Sequence, residues 1–398
     1  MGDPSGATSH AGLEHPGAAL FEPQPPGRTF LNAAYMTPKP KRALAAMHAC
    51  VDRLASPDFG AVEFFEPLER VRALLARVVG GPAESYSLVG AASYGMATVA
   101  WNLRCQADAL VGARRRIVGV DGQFPSNVQT WRRLADAGFE LVLVANGDGV
   151  EERLLAEMDD GAALLAIAPL SWTNGCRLDV ARLCGAAREA GALSLLDVTQ
   201  SVGVDPAIPM ERCDIVTGAG YKWLLGPYGT GFLRLSPELQ ERLEPLEANW
   251  KNFAGSQDFN RLTDYADDFA SPAAKFDQGE SSAFVRLAGW EPGLQTLVDL
   301  GEGAIAAHVA RLHAAVREAL DGARFDVSPS NAAIQASHLF RVAPRDAADF
   351  DPLSEQLAAA GVGVSRRDGG WRLSPHVYNG GEDVARFVAA LSGDRQRA

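Results

Sequence analysis

The chain has 398 residues, 47% of them hydrophobic and 22% charged, with a formal net charge of −12. That length allows two domains around sizeable cores, and the acidic balance excludes nucleic acid as a partner, which needs a basic face. No stretch approaches the roughly 18 unbroken apolar residues of a membrane helix, and the amino terminus lacks the basic start and apolar core of a signal peptide.

The reading is therefore a cytoplasmic protein. Its five cysteines (Cys50, Cys105, Cys176, Cys184, Cys213) are odd in number and lack CxxC spacing. They read as reduced thiols, mostly buried in packing. The seven histidines form no HxxxH or HExxH pattern, so no metal site is expected.

Residues 1–28 are rich in Gly, Pro, Ala and Ser, the composition of a flexible arm. Phe30 to Pro38 reads as a short extended entry that stops at proline. Helices follow at Lys39–Leu54, with Leu44, Met47, His48 and Val51 on one side, and at Phe64–Val79, with Leu68, Val71, Leu74, Leu75 and Val78 at helical spacing. Ser87 to Met96 is a strand and a small-residue turn opening a helix over Ala97–Leu103, an arrangement that suits either a phosphate at a helix N-terminus or a plain connection.

Strands at Ile117–Val120, Leu141–Ala145, Ala162–Ala168 and Leu193–Asp197 alternate with helices at Asn127–Ala137, Glu151–Met158 and Val180–Ala190, and Asp214–Thr217 precedes the next loop. That alternation predicts βαβ units and a mainly parallel sheet. Beyond about residue 265 the pattern changes to long helices at Phe284–Leu300 and Ala304–Leu320. Strand-like runs at Ser337–Val342 and Val362–Ser365 follow, with helices at Pro352–Ala360 and Glu382–Leu391. The expected organisation is a flexible arm over 1–28, a large domain over 29–265 whose residues 29–45 can pack on the small domain, and a small α+β domain over 266–398, with the boundary in the aperiodic stretch 255–275.

Two charges in this framework need a reason. Asp197 ends the apolar run Leu193–Leu196, and residues at the carboxyl ends of buried parallel strands face the ligand crevice of an α/β sheet. Lys222, 25 positions later, is flanked by Ala219-Gly220-Tyr221 and Trp223-Leu224-Leu225 with no acid nearby in sequence. A desolvated lysine loses its proton more easily, which a Schiff-base nucleophile requires. An acid at a strand end and such a lysine point to pyridoxal 5'-phosphate, the lysine on the aldehyde carbon and the acid on the ring nitrogen. The same residues also suit a helix cap at Asp197 and a surface-directed Lys222.

The Asp197-Val-Thr-Gln200 segment, the Lys222 loop with its Gly-Pro-Tyr-Gly-Thr-Gly-Phe-Leu continuation, and Arg372-Leu-Ser-Pro-His-Val-Tyr-Asn together resemble the class V aminotransferase family of fold-type I pyridoxal-phosphate enzymes. That family includes cysteine desulfurases, selenocysteine lyases, kynureninases and an isopenicillin N epimerase, and the likeness runs over roughly residues 29–393. It implies the fold-type I architecture, a large domain with a mainly parallel sheet plus a small α+β carboxyl-terminal domain. It also implies a homodimer with the active site at the subunit interface.

By resemblance, Lys222 is the Schiff-base lysine and the proton shuttle, Asp197 pairs with the ring nitrogen, and Gln200 reaches the ring phenolic oxygen. Ala92 and Ser93 hold the phosphate, Phe124 of the Gly122–Asn127 loop stacks on the ring, and Tyr221 and Ser281 join the cofactor contacts. Arg372 grips the substrate α-carboxylate, a role suited to a two-pronged guanidinium. Trp172 and Tyr35 complete the substrate side.

Three departures from the family pattern narrow the reading. No cysteine follows Cys213, so persulfide chemistry on a loop before Arg372 is excluded. Ser171-Trp172-Thr173-Asn174-Gly175 has tryptophan where many members place an asparagine on the ring oxygen, leaving Asn174 as the substitute. Gln278-Gly279-Glu280-Ser281 has Glu280 where a Gly-Thr pair commonly reaches a neighbouring subunit's phosphate, with Ser281 as the replacement. The expected function is chemistry at the α-amino group of an amino acid, with transamination first because it needs no further residue. A β-eliminating C–S or C–Se lyase comes next, then an epimerase or a kynureninase-like hydrolase, and last a cofactor-binding homologue without activity. No GxGxxG opens a helix after a strand, so a nicotinamide enzyme is not expected.

Overall fold

The computed structural model describes residues 12–159, 161–206, 208–329 and 338–392. In chain order these form β1 (Thr29–Phe30), α1 (Lys41–Arg53), α2 (Ala61–Val79), β2 (Tyr86–Val89), α3 (Ala92–Val111), β3 (Arg116–Val120), α4 (Ser126–Arg132), β4 (Glu140–Val144), α5 (Val150–Ala156), β5 (Ala162–Ile167), α6 (Val180–Glu189), β6 (Leu193–Asp197), β7 (Ile215–Ala219), β8 (Gly231–Leu235) and α7 (Pro237–Arg242). Then come α8 (Phe284–Leu300), α9 (Glu302–Ala319), β9 (Phe325–Ser328), β10 (Phe340–Pro344), α10 (Phe350–Ala359), β11 (Val362–Gly363), β12 (Ser365–Arg367), β13 (Gly370–Leu373) and α11 (Gly381–Ser392).

The chain divides into two compact units. Of the described residues, the larger holds those within Lys39–Leu170 and Leu178–Asp299; the smaller holds those up to Pro38, Ser171–Arg177 and those from Leu300 onward.

The larger unit is built on a seven-stranded sheet in the order β2-β8-β7-β6-β5-β3-β4. Every neighbouring pair is parallel except the two made by β8, which runs against both β2 and β7. All six residues of β5, Ala162 to Ile167, are buried. Burial on both faces is why this strand reads as an unbroken apolar run rather than an alternating one. Trp131, Leu164, Leu195, Ile215 and Leu233 belong to the core beneath it.

The smaller unit has a four-stranded antiparallel sheet, β12-β13-β10-β9, beside a parallel pair of β1 with β11. Its core includes Leu312, Val316, Phe340, Trp371 and Phe387.

Several expectations need correction. The division falls at Asp299/Leu300, not within 255–275. The aperiodic stretch is fastened to the larger unit where Ser87 Oγ donates to Ala273 O at 2.7 Å and Lys275 Nζ donates to Gln240 O at 3.4 Å. Trp290 of α8 also packs there, so close to the backbone of Gly220 and Gly226 that a Cβ on either would lie within 2.9 Å of its indole.

The arm is ordered from residue 12, and residues 1–11 lie outside the described ones. A single-turn helix over Pro16–Leu20 holds it, Phe21 is 2% exposed against the rings of His376 and Tyr378, and Glu14 accepts from Gly381 N–H. Sparse anchors, not an apolar period, do this work, so composition misled. Of residues 29–45, those up to Pro38 group with the smaller unit and those from Lys39 with the larger.

On α1 the expected apolar side is only partly covered: Ala43 is buried, whereas His48 and Val51 are exposed. The helix expected over 127–137 breaks after Arg132 into a 3-10 turn at Ala135–Ala137. Only Cys184 and Cys213 of the five cysteines are buried. Ser337, the start of an expected strand, lies outside the described residues.

Candidate active site

The larger unit gathers its functional side chains at one end of its sheet. β2 leads into the start of α3 at Ala92, β3 into the Phe124 loop, β6 ends at Asp197, and β7 leads into the Lys222 loop. These four strands are mutually parallel, β2 through the antiparallel β8, so all four loops leave from their carboxyl ends, where ligands bind in open α/β sheets.

α3 begins earlier than expected, at Ala92, with Ala91 extended (φ −165°) and offering no side-chain cap. Its first-turn N–H groups therefore have no side-chain capping oxygen and suit an anion. Gly95 lets this first turn press onto β7, because a Cβ there would lie 2.5 Å from Thr217 Oγ1, and that hydroxyl lies 3.1 Å from Ala92 O.

Asp197 is buried at the end of β6. Burial pushes its carboxyl up from the ordinary range, while Thr199 and the charge of Lys222 pull it back. Thr199 N–H donates to Asp197 Oδ1 at 3.1 Å, and Thr199 Oγ1 accepts from Ala219 N–H at 3.1 Å, tying the acid to β7. A carboxyl held this way favours a proton or a cationic hydrogen-bond donor beside it.

Gln200 Oε1 accepts from Trp223 Nε1 at 2.9 Å. Indole N–H can only donate, so this contact fixes which end of the amide faces the core.

Lys222 is 7% exposed, its Nζ 5.5 Å from the Phe124 ring centroid and 5.6 Å from that of Tyr221. The loop after it is tightly held. Leu225 is fully buried at φ 56°, a region that costs a non-glycine residue about 1–2 kcal/mol, and Gly226 N–H donates to Gly220 O at 2.8 Å.

Sequence reasoning missed Lys39. Its Nζ donates to Tyr221 O, the carbonyl just before Lys222, at 2.8 Å, and burial draws its ammonium down to about 7. Ser281 accepts from the buried Lys251 at 3.2 Å, and Ser282 from the same ammonium at 2.7 Å.

In the smaller unit Arg372 is 2% exposed. Its Nη1 donates to Trp172 O at 2.8 Å, and its Nη2 lies 3.4 Å from Ser365 Oγ and 3.5 Å from Asn32 Oδ1. Burial and the nearby Arg367 draw it down to about 10. Trp172 lies beside the guanidinium, 5.9 Å from its ring centroid to Cζ. Asn174 Oδ1 accepts from Cys176 N–H at 3.0 Å, so this amide braces a turn. Tyr35 is 61% exposed.

The sequence matches the aminotransferase class-V family over residues 30–387. The chain belongs to that family. Isopenicillin N epimerase of Streptomyces clavuligerus is 29% identical over 55% of this chain, and the match spans only 56% of that enzyme's length. A probable cysteine desulfurase of Pseudomonas aeruginosa is 30% identical over 67% of this chain and 68% of its own. Among solved structures, a cysteine desulfurase from Thermococcus onnurineus NA1 superposes with a TM-score of 0.76 at 20% identity, over 91% of this chain and 93% of that one, which shows a shared fold. The fold is the fold-type I architecture of pyridoxal-phosphate enzymes, with a mostly parallel central sheet and a smaller antiparallel one.

Family membership implies pyridoxal 5'-phosphate and an enzyme of the transferase or lyase class. The residues of the larger unit fit that cofactor. A buried carboxyl that favours a cationic donor suits a protonated ring nitrogen, an uncapped helix start suits a phosphate, and Phe124, 43% exposed, presents an aromatic face near the lysine. Thr199 was within sight of sequence reasoning, inside the Asp-Val-Thr-Gln segment; Lys39 carries no motif that marks it. Among the described residues no helix is long and apolar enough to cross a membrane.

Proposed function

We propose that this protein is a pyridoxal-phosphate enzyme that acts on the α-amino group of an amino acid, with transamination as its reaction. The observation that carries the reading is the buried Asp197 at a strand end, electrostatically coupled to a Lys222 that lies beside Phe124. When bound, the cofactor supplies a ring that draws off the electrons left as the substrate's α-proton departs.

The chain's own residues supply the rest. Asp197 holds a proton at the ring nitrogen, and Gln200, aimed by Trp223, donates toward the ring oxygen. Ala92 and Ser93, with Ser281, take the phosphate, and Tyr221 and Phe124 flank the ring. Asn174 is assigned to the ring-oxygen contact only through its place in the chain, its side-chain oxygen being used at Cys176. Lys222 holds the cofactor and then carries the α-proton as general base and acid. Arg372 takes the α-carboxylate through its fork, with Trp172 and Tyr35 beside the substrate. The protein is assigned as a cytoplasmic homodimer.

β-Elimination is the second reading, favoured by the desulfurase relatives. Against persulfide transfer stands the absence of any cysteine after Cys213. A panel of amino acids supplied without any keto acid decides between them. Stoichiometric keto acid with aminated cofactor supports transamination, and continuous release of pyruvate or alanine refutes it in favour of the lyase.

A further inference from the structure

β12 and β13 pair so that Ser365 faces Arg372 and Arg367 faces Gly370. Residues two apart on a strand share a face, so Arg367 and Arg372 project from the same face as diagonal neighbours, with backbones about 7–8 Å apart. Trp172 lies against both, its ring centroid 5.1 Å from Arg367 Cζ and 5.9 Å from Arg372 Cζ.

The intervening Arg366 points to the other face and is neutralised there by Asp351. Neither of the two facing arginines has such a partner among the described residues. Arg367 Nη1 donates to Arg366 O at 2.6 Å, Arg372 bonds only neutral oxygens, and the Nε atoms of both are buried without an acceptor. Arg367 also makes Arg372 easier to deprotonate, the mark of two like charges in mutual range. A half-buried cation beside a fully buried one, with no acid to balance either, costs the fold free energy unless an anion arrives.

We propose that Arg367 is a specificity-determining residue that receives a second carboxylate, so that the amino-acid substrate is dicarboxylic. This rests on Arg372 taking the α-carboxylate, as assigned above. The second acid group, at the end of a short methylene side chain, lies in the fork of Arg367, with Trp172 covering the methylenes between. The amino-group transfer itself is unchanged, and the keto acid formed is also a diacid.

Calorimetric titration of the purified full-length protein with glutarate and, separately, butyrate tests the pairing without turnover. The wild type is expected to bind glutarate about ten- to a hundredfold more tightly, the worth of one charge-assisted fork. Arg367→Gln brings the ratio to about one, and Arg367→Lys, which keeps the charge but loses the fork, restores part of it. Equal binding of both acids by the wild type, or an unchanged ratio in Arg367→Gln, overturns the proposal. A glutarate preference in a protein that reacts with no amino acid supports this site while refuting the transamination reading. Transamination of apolar amino acids with no glutarate preference does the reverse.

Discussion

Lys39 offers a quantitative test of how the lysine loop is held. Its ammonium is drawn from 10.5 to about 7 by burial alone. At about 1.4 kcal/mol per pH unit, that depression makes the native state about 5 kcal/mol less stable at neutral pH than if the group titrated as in the unfolded chain. The side chain keeps part of its surface in water, which discounts the figure to about 2–3 kcal/mol. Between pH 7 and pH 10 the unfolded chain binds more protons at this position than the native one, so this contribution makes stability rise with pH.

Lys39→Met removes the penalty and also removes the hydrogen bond to Tyr221 O, worth about 1 kcal/mol. The variant is therefore about 1–2 kcal/mol more stable than wild type at pH 7, and the advantage fades by pH 10. Urea midpoints at pH 7, 8, 9 and 10 for both proteins measure this directly, since other titrating groups cancel in the difference. Parallel pH profiles for the two proteins would refute the argument, because they would mean that Lys39 is charged and solvated in the native state.

Two further outcomes follow from the site. Arg372→Ala is expected to weaken amino-acid binding by about tenfold or more while leaving cofactor loading intact. Loss of loading, read by absorbance after gel filtration, would point instead to a structural role. Asp197→Asn, which keeps the shape and removes the charge, is expected to weaken cofactor binding by about ten- to a hundredfold. An unchanged affinity by fluorescence titration would separate Asp197 from the ring nitrogen.

Much of the larger unit was legible because its central strands are buried on both faces. β3, β5, β6 and β7 appear as short apolar runs whatever surrounds them, and the amphipathic period of α2 marks a helix that covers the sheet. Asp197 and Lys222 were legible for the complementary reason, as charges in apolar settings.

What failed depended on contacts distant in sequence. The division at Asp299 is set by α8 packing through Trp290 onto Gly220 and Gly226, and nothing local announces it. Ser171–Arg177 joins the smaller unit as a brief excursion, with Gly175 packed so tightly on the Leu339 carbonyl that no Cβ fits. The short strands β12 and β13 lack a period long enough to read, so the shared face of Arg367 and Arg372 emerged only from their register.

The central claim is that Lys222 holds the cofactor. Incubating the protein with pyridoxal 5'-phosphate, reducing with borohydride, and mapping the modified peptide by mass spectrometry tests it most directly. One phosphopyridoxyl adduct per chain is expected, on Lys222, and none in Lys222→Ala. An adduct on Lys39, Lys251 or Lys275 instead, or none at all, would contradict it.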